Sequence, residues 1–270
     1  MFKYSLFLVG ITVISPPEIQ ANTLVGVTFS GDVYAIDPAD GSLSSLHQIP
    51  SANALTDDGQ GNFVTFDYAQ NALVTYDVVT GGVLDTLSTD IPLSPRGLTR
   101  GASGNYYALL SPISGIFDLY SIDGQTGASA RIGPLPIGTF GQSLTIDALD
   151  RLVTFSFTGL VEIDPVTAMT TLLFPLSFLD RQTLFSDSAG NLYAGSNDFY
   201  RIDPFTGTTS FEFTVSPPQG TSFIRGAYHT ELLTAPVPGP APLGLMASAV
   251  VGAFMMLRRS ERALSSKAAT

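Results

Sequence analysis

Cysteine is absent from the 270 residues. That removes disulfides, thiolate nucleophiles and cysteine-ligated metals together. Charge is scarce as well. Only 13% of residues are charged, about half the share of an ordinary soluble domain. Long solvated helices need Glu, Lys and Arg on their outer faces, so the scarcity argues against them. Basic residues are the scarcest. Between Asn22 and Thr234 there are seven Arg and no Lys, against twenty-one Asp and Glu. With a net charge of -11, the surface repels a phosphate backbone and excludes nucleic acid as a natural partner.

Catalytic signatures are missing too. There are two His, His47 and His229, and neither His-Glu-x-x-His nor His-x-x-x-His occurs, so no zinc spacing exists. No Gly-x-Ser-x-Gly marks a nucleophile elbow. The loop Gly138 to Ser143 has no phosphate-binding Lys. No cofactor is implied, and no residue stands out as catalytic or metal-binding. A carboxylate pair across a channel would suit a glycosidase, but twenty-one acids offer such pairs by chance.

What is present is Gly (26), Pro (18) and a 44% apolar share, the composition of short strands joined by tight turns. Five segments align. They are Gly31 to Gly41, Asn71 to Gly81, Ile116 to Gly127, Thr158 to Ala168 and Asp198 to Gly207. Their shared acid falls at Asp37, Asp77, Asp123, Asp164 and Asp203, a period near forty. Before it, from the second unit on, comes an apolar strand, a polar Gly- or Asp-containing turn and another apolar strand. Ala54-Leu55-Thr56 before Gly61 to Phe66 is one copy, and Thr183-Leu184-Phe185 before Gly190 to Ala194 is another. Each unit therefore reads as four short strands, the blade of a β-propeller. The first unit lacks its opening strand, while Ser222 to Tyr228 is left over at the far end. Pairing the two gives five blades closed by the terminal strands, which removes exposed sheet edges. The predicted class is all-β, with the propeller over 22–230.

The Asp-Pro-x-Thr-Gly pattern has a local explanation. Asp accepts hydrogen bonds from the backbone N–H groups that follow it, Pro fixes φ, and Gly supplies a positive φ. A hairpin hinge accounts for all of it. A calcium loop would cluster its carboxylates, whereas here each blade supplies one. Tyr34, Tyr120 and Tyr200 stand three residues before the acid, Val74 and Val161 taking the place in the other units. Packing between blades is the expected role, a sugar-stacking platform the rival one.

The ends differ from the body. Residues 1–21 read as a secretory signal peptide, with Lys3, an apolar run to Ile14 and a break before Ala21. Residues 231–242 form a Pro-rich linker. A fifteen-residue apolar run, Leu243 to Leu257, follows, with Arg258, Arg259 and Arg262 directly after it. This reads as a transmembrane helix over 243–257 with a basic cytoplasmic tail over 258–270. Fifteen helical residues rise only about 22 Å, against a hydrocarbon core of about 30 Å.

Val237-Pro238-Gly239-Pro240-Ala241, the apolar run and Arg258-Arg259 together resemble the C-terminal sorting signal of PEP-CTERM proteins. Gly239 stands where that family usually has Glu. The resemblance spans Pro236 to Ala263 and concerns sorting, not the exported domain. It implies an exosortase-type membrane processing enzyme as partner. It also implies an exported protein, transiently or permanently anchored in the inner membrane and then displayed at the cell surface or released. Two functions remain open for the body. One is a non-enzymatic binding or matrix-associated module whose partner is polysaccharide or another envelope protein. The other is a secreted hydrolase or lyase acting on envelope polysaccharide. A propeller serves both.

Overall fold

The computed structural model describes residues 23–50, 52–111, 116–136, 138–176, 182–187, 189–216 and 224–230. The chain divides into two units, Met1–Leu233 and Thr234–Thr270, and every described residue belongs to the first. The signal peptide, the linker, the sorting motif and the basic tail lie outside the described residues.

Twenty strands form five four-stranded antiparallel sheets. Blade 1 holds β1 (Thr23–Thr28), β2 (Asp32–Ile36) and β3 (Leu43–Gln48), with β20 (Ile224–Thr230) innermost. Blade 2 is β4 (Leu55–Asp57), β5 (Phe63–Asp67), β6 (Ala72–Tyr76) and β7 (Val83–Ser88). Blade 3 is β8 (Pro95–Arg100), β9 (Tyr106–Leu110), β10 (Asp118–Ile122) and β11 (Ser129–Pro134). Blade 4 is β12 (Thr139–Ile146), β13 (Leu152–Ser156), β14 (Gly159–Ile163) and β15 (Thr170–Pro175). Blade 5 is β16 (Thr183–Ser186), β17 (Leu192–Gly195), β18 (Asp198–Ile202) and β19 (Thr209–Thr214). The architecture is an all-β, five-bladed propeller.

Two points of the sequence reading are corrected. Ladder hydrogen bonds stop at the edge of each blade, so no continuous sheet closes round the ring. β20 pairs with β1 inside blade 1, Leu24 opposite His229 and Gly26 opposite Ala227. Neighbouring blades meet instead through packing and scattered bonds, such as the Tyr228 hydroxyl donating to the Gly61 carbonyl at 3.0 Å. The expected membrane-spanning helix is also overturned. Among the described residues every regular element is a strand, and no helix is long and apolar enough to cross a membrane. The run 243–257 itself lies outside the described residues, and its fifteen residues are too few to span the hydrocarbon core unaided.

Burial explains the patterning. The second strand of a blade is covered on both faces, so β5 (FVTFD) and β13 (LVTFS) are buried at every position. The fourth strand forms the rim, and β7 is mostly exposed. Five apolar clusters fill the five interfaces between blades. Blades 1 and 2 share Val25, Val33, Phe63 and Val74, and blades 5 and 1 share Leu24, Ile36, Phe185 and Phe199. Each such side chain contributes about 1.5–3 kcal/mol through burial.

Candidate functional site

Antiparallel order places the turns between first and second, and between third and fourth, strands at one end of every blade. All five repeat acids sit there. Asp77, Asp123, Asp164 and Asp203 close their turns by the same pair of side-chain bonds, and Asp37 by the first of that pair. Asp123 Oδ1 accepts from the N–H groups of Gln125 and Thr126 at 2.9 and 2.7 Å. Asp203 Oδ1 accepts from those of Phe205 and Thr206, and Asp37 Oδ1 from that of Ala39. The N–H four residues on donates back to the acid's carbonyl, as Gly81 does to Asp77 at 2.9 Å. Thr80, Thr126, Thr167 and Thr206 then accept, through Oγ1, from the N–H two residues on. These backbone bonds hold the carboxyls of Asp77, Asp123, Asp164 and Asp203 below the ordinary range. The five acids stay on five separate blades. Among the described residues no three His, Asp or Glu converge as a metal would require.

The central channel is narrow. Leu55, Leu98, Leu144, Leu184 and Ala227, one from each innermost strand, close its waist. The recess on the side of the repeat acids has a volume of about 70 Å³. The recess toward the other face has about 10 Å³, room for about one water molecule.

That other face carries the linkers between blades and the turns between second and third strands. A groove of about 420 Å³ opens there across blades 1, 2 and 3. Phe29 follows β1 and is 51% exposed, and Tyr68 follows β5 and is 72% exposed. With Leu93 they form its apolar walls. Its polar groups are Asn53, Ser94, Arg96 and Ser111, and among the described residues no Asp, Glu or His lines it. Arg96 also lines the channel mouth, where Arg225 of β20 joins it. Arg225 lies over the Phe29 ring at 5.9 Å and donates from Nη1 to Gln182 Oε1 at 2.8 Å. Its Nε is buried without a hydrogen-bond partner among the described residues.

The repeat acids were legible in the sequence, but this groove was not. One signal was available. An aromatic stands directly after the second strand in three blades, at Phe29, Tyr68 and Phe157, where turn chemistry favours small polar residues. The three tyrosines singled out instead belong to the blades: Tyr34 is buried, and Tyr120 packs against the cluster between blades 2 and 3. His47 lies in β3 with its ring stacked on Phe63 at 5.7 Å. His229 lies in β20 opposite Leu24.

No protein-family model matches the chain, and no curated protein matches it in sequence. Solved structures do. A chain from the crystal structure of a nidogen/laminin complex aligns at a TM-score of 0.51 and 14% identity, over 77% of this chain and 98% of its own. A protein of unknown function from Bacteroides thetaiotaomicron aligns at 0.49 and 12%, over 72% and 55%. The gluconolactonase XC5397 from Xanthomonas campestris aligns at 0.48 and 14%, over 73% and 78%. At 14% identity the likeness to the first of these bears on the fold alone, and the strand topology defines that fold as the β-propeller.

Proposed function

We propose that the chain is an exported binding module of the cell envelope or extracellular matrix, not an enzyme, and that it binds through the groove of Phe29, Tyr68 and Arg96. One observation carries this reading. The groove has the size of a ligand site and two exposed aromatics, yet among the described residues no carboxylate or imidazole lines it. Hydrolysis of a glycosidic bond canonically uses two carboxyls flanking it. The repeat acids are spent on turns, and the channel recesses, at about 10 and 70 Å³, are too small for a sugar chain. Export rests on the sequence alone: residues 1–21 and the motif Val237 to Pro240. In this reading an exosortase-type enzyme processes the motif, and polysaccharide or another envelope protein is the partner.

The test uses the full chain and polysaccharide prepared from the envelope of its host. Co-sedimentation without release of reducing ends or unsaturated sugars is the expected result. Release of either product that scales with protein concentration would establish the hydrolase or lyase reading instead. For sorting, the intact mass of the protein recovered from its host is expected to end near Val237 to Ala241. A mass that includes Arg258 and Arg259 would exclude processing at the motif.

A further inference from the structure

Among the described arginines, Arg131, Arg151 and Arg201 are each ion-paired, to Asp118, Asp147 and Glu212 at 2.7, 2.6 and 3.1 Å. Arg96, Arg100 and Arg225 have no carboxylate within ion-pair distance among the described residues. Arg100 lines the recess on the opposite face, whereas Arg96 and Arg225 share the channel mouth beside the groove. A protein with a net charge of -11 has acids to spare, so two guanidiniums left unpaired at one mouth need a physical reason.

The described acids at the turns between second and third strands are otherwise engaged. Asp32 accepts from the Ser30 and Thr28 hydroxyls. Asp67 accepts from the Ala69 N–H and the Gln70 side chain. Asp198 accepts from the Thr214 hydroxyl at 2.6 Å. None is offered to Arg96 or Arg225. The Phe29 ring holds Arg225 in place from one side, and Gln182 holds it through Nη1, while Nε is buried with no hydrogen-bond partner among the described residues.

We infer that Arg96 and Arg225 grip the carboxylates of an acidic sugar chain whose ring faces stack on Phe29 and Tyr68, a uronate-containing polysaccharide. This deepens the binding reading above and rests on it. Guanidinium forks match carboxylates in geometry as well as charge. Exposed aromatic faces match the apolar faces of sugar rings, and a groove open along three blades admits a polymer that a closed cavity would refuse. The surrounding negative surface repels any acid that does not make both contacts, which adds selectivity.

The test measures binding of the full chain to three polymers: polygalacturonate, the same polymer after its carboxyls are reduced to alcohols, and poly-glutamate. Polygalacturonate is expected to bind at least roughly ten-fold more tightly than either of the others, with affinity falling as salt rises. Arg96→Gln and Tyr68→Ala are each expected to weaken it by roughly ten-fold. Tyr68 is largely exposed, so its variant keeps the test sound if the Arg96→Gln chain fails to fold. Equal binding of the reduced polymer would overturn the role of the arginines and leave the module reading standing. Equal binding of poly-glutamate, unmoved by Tyr68→Ala, would overturn the sugar. Binding of none would overturn the inference, and the co-sedimentation assay then decides separately whether the module reading survives.

Discussion

Gly133 and Ala168 face each other across the interface of blades 3 and 4, where a Cβ on Gly133 would lie 3.4 Å from the Cβ of Ala168. At the other interfaces the sizes are reversed. Gly81, Gly127, Gly207 and Gly41 occupy the turn position of Ala168, and they meet His47, Leu87, Phe174 and Phe213 at the place of Gly133. All five turn residues have positive φ, from 58° at Ala168 to 76° at Gly41. Blade 4 has therefore placed a methyl where the left-handed backbone disfavours one, and its neighbour has given up a side chain to make room.

A double-mutant cycle tests this exchange. Gly133→Leu alone is expected to destabilise by about 1–3 kcal/mol through overpacking. Combined with Ala168→Gly, most of that loss should return, since the clash goes and the left-handed strain of about 1–2 kcal/mol is relieved. Urea unfolding reads all four corners. Additive effects would show that the two positions are independent.

The turn glycines separate backbone strain from crowding. A Cβ on Gly127 would run into the Ser88 carbonyl oxygen, and its φ is 73°. Gly127→Ala should cost more than about 2 kcal/mol. Gly82, one residue past the equivalent glycine of blade 2, meets only the Thr80 hydroxyl at 3.3 Å. Gly82→Ala should stay within about 1 kcal/mol, and unfolding midpoints of the two variants check the contrast.

Acid should loosen the turns. The carboxyls of Asp77, Asp123, Asp164 and Asp203 are held below their ordinary range mainly by backbone N–H groups. Their stabilisation is complete above the unfolded carboxyl value of about 3.9 and is lost as pH falls through the folded values. Asp123→Asn should fold at pH 7, because the amide oxygen still accepts both N–H bonds, and should lose less stability than the parent between about pH 4 and 2. An unchanged acid slope would remove Asp123 as a contributor.

His47 fills the place that Leu87, Phe174 and Phe213 hold in other blades. Burial lowers the pKa of its ring, with Asp77 opposing the shift, and neither ring nitrogen has a hydrogen-bond partner among the described residues. The unfolded chain thus takes up the proton first, and stability falls as pH drops below about 6.5 toward the folded value. His47→Leu should flatten the stability profile between about pH 7 and 5. A variant that keeps the parent slope would place the dependence elsewhere.

The blades were legible because their cause is local. Asp-Pro-x-Thr-Gly states its own turn, and β5 (FVTFD) and β13 (LVTFS) place apolar side chains on both faces of the strand. The left-over strand at the chain's far end pointed to β20 beside β1. The groove was hidden because it is assembled from positions far apart in the chain: Phe29, Tyr68 and Arg96 come from three blades, and Arg225 from the last strand. Nothing in the spacing of those residues joins them, since the ring does so. The membrane helix was misread because an apolar run before an Arg pair fits several ends, and composition weighs more heavily there than length.

The central claim is that the face of Phe29, Tyr68 and Arg96 binds while the face of the repeat acids holds the fold. Binding of host envelope polysaccharide by Tyr68→Ala and by Asp203→Asn, measured side by side with the parent, addresses it most directly. The account predicts roughly ten-fold weaker binding for Tyr68→Ala with an unchanged unfolding midpoint, and parental binding for Asp203→Asn. Parental binding by Tyr68→Ala with loss in Asp203→Asn would contradict it and move the functional surface to the opposite face.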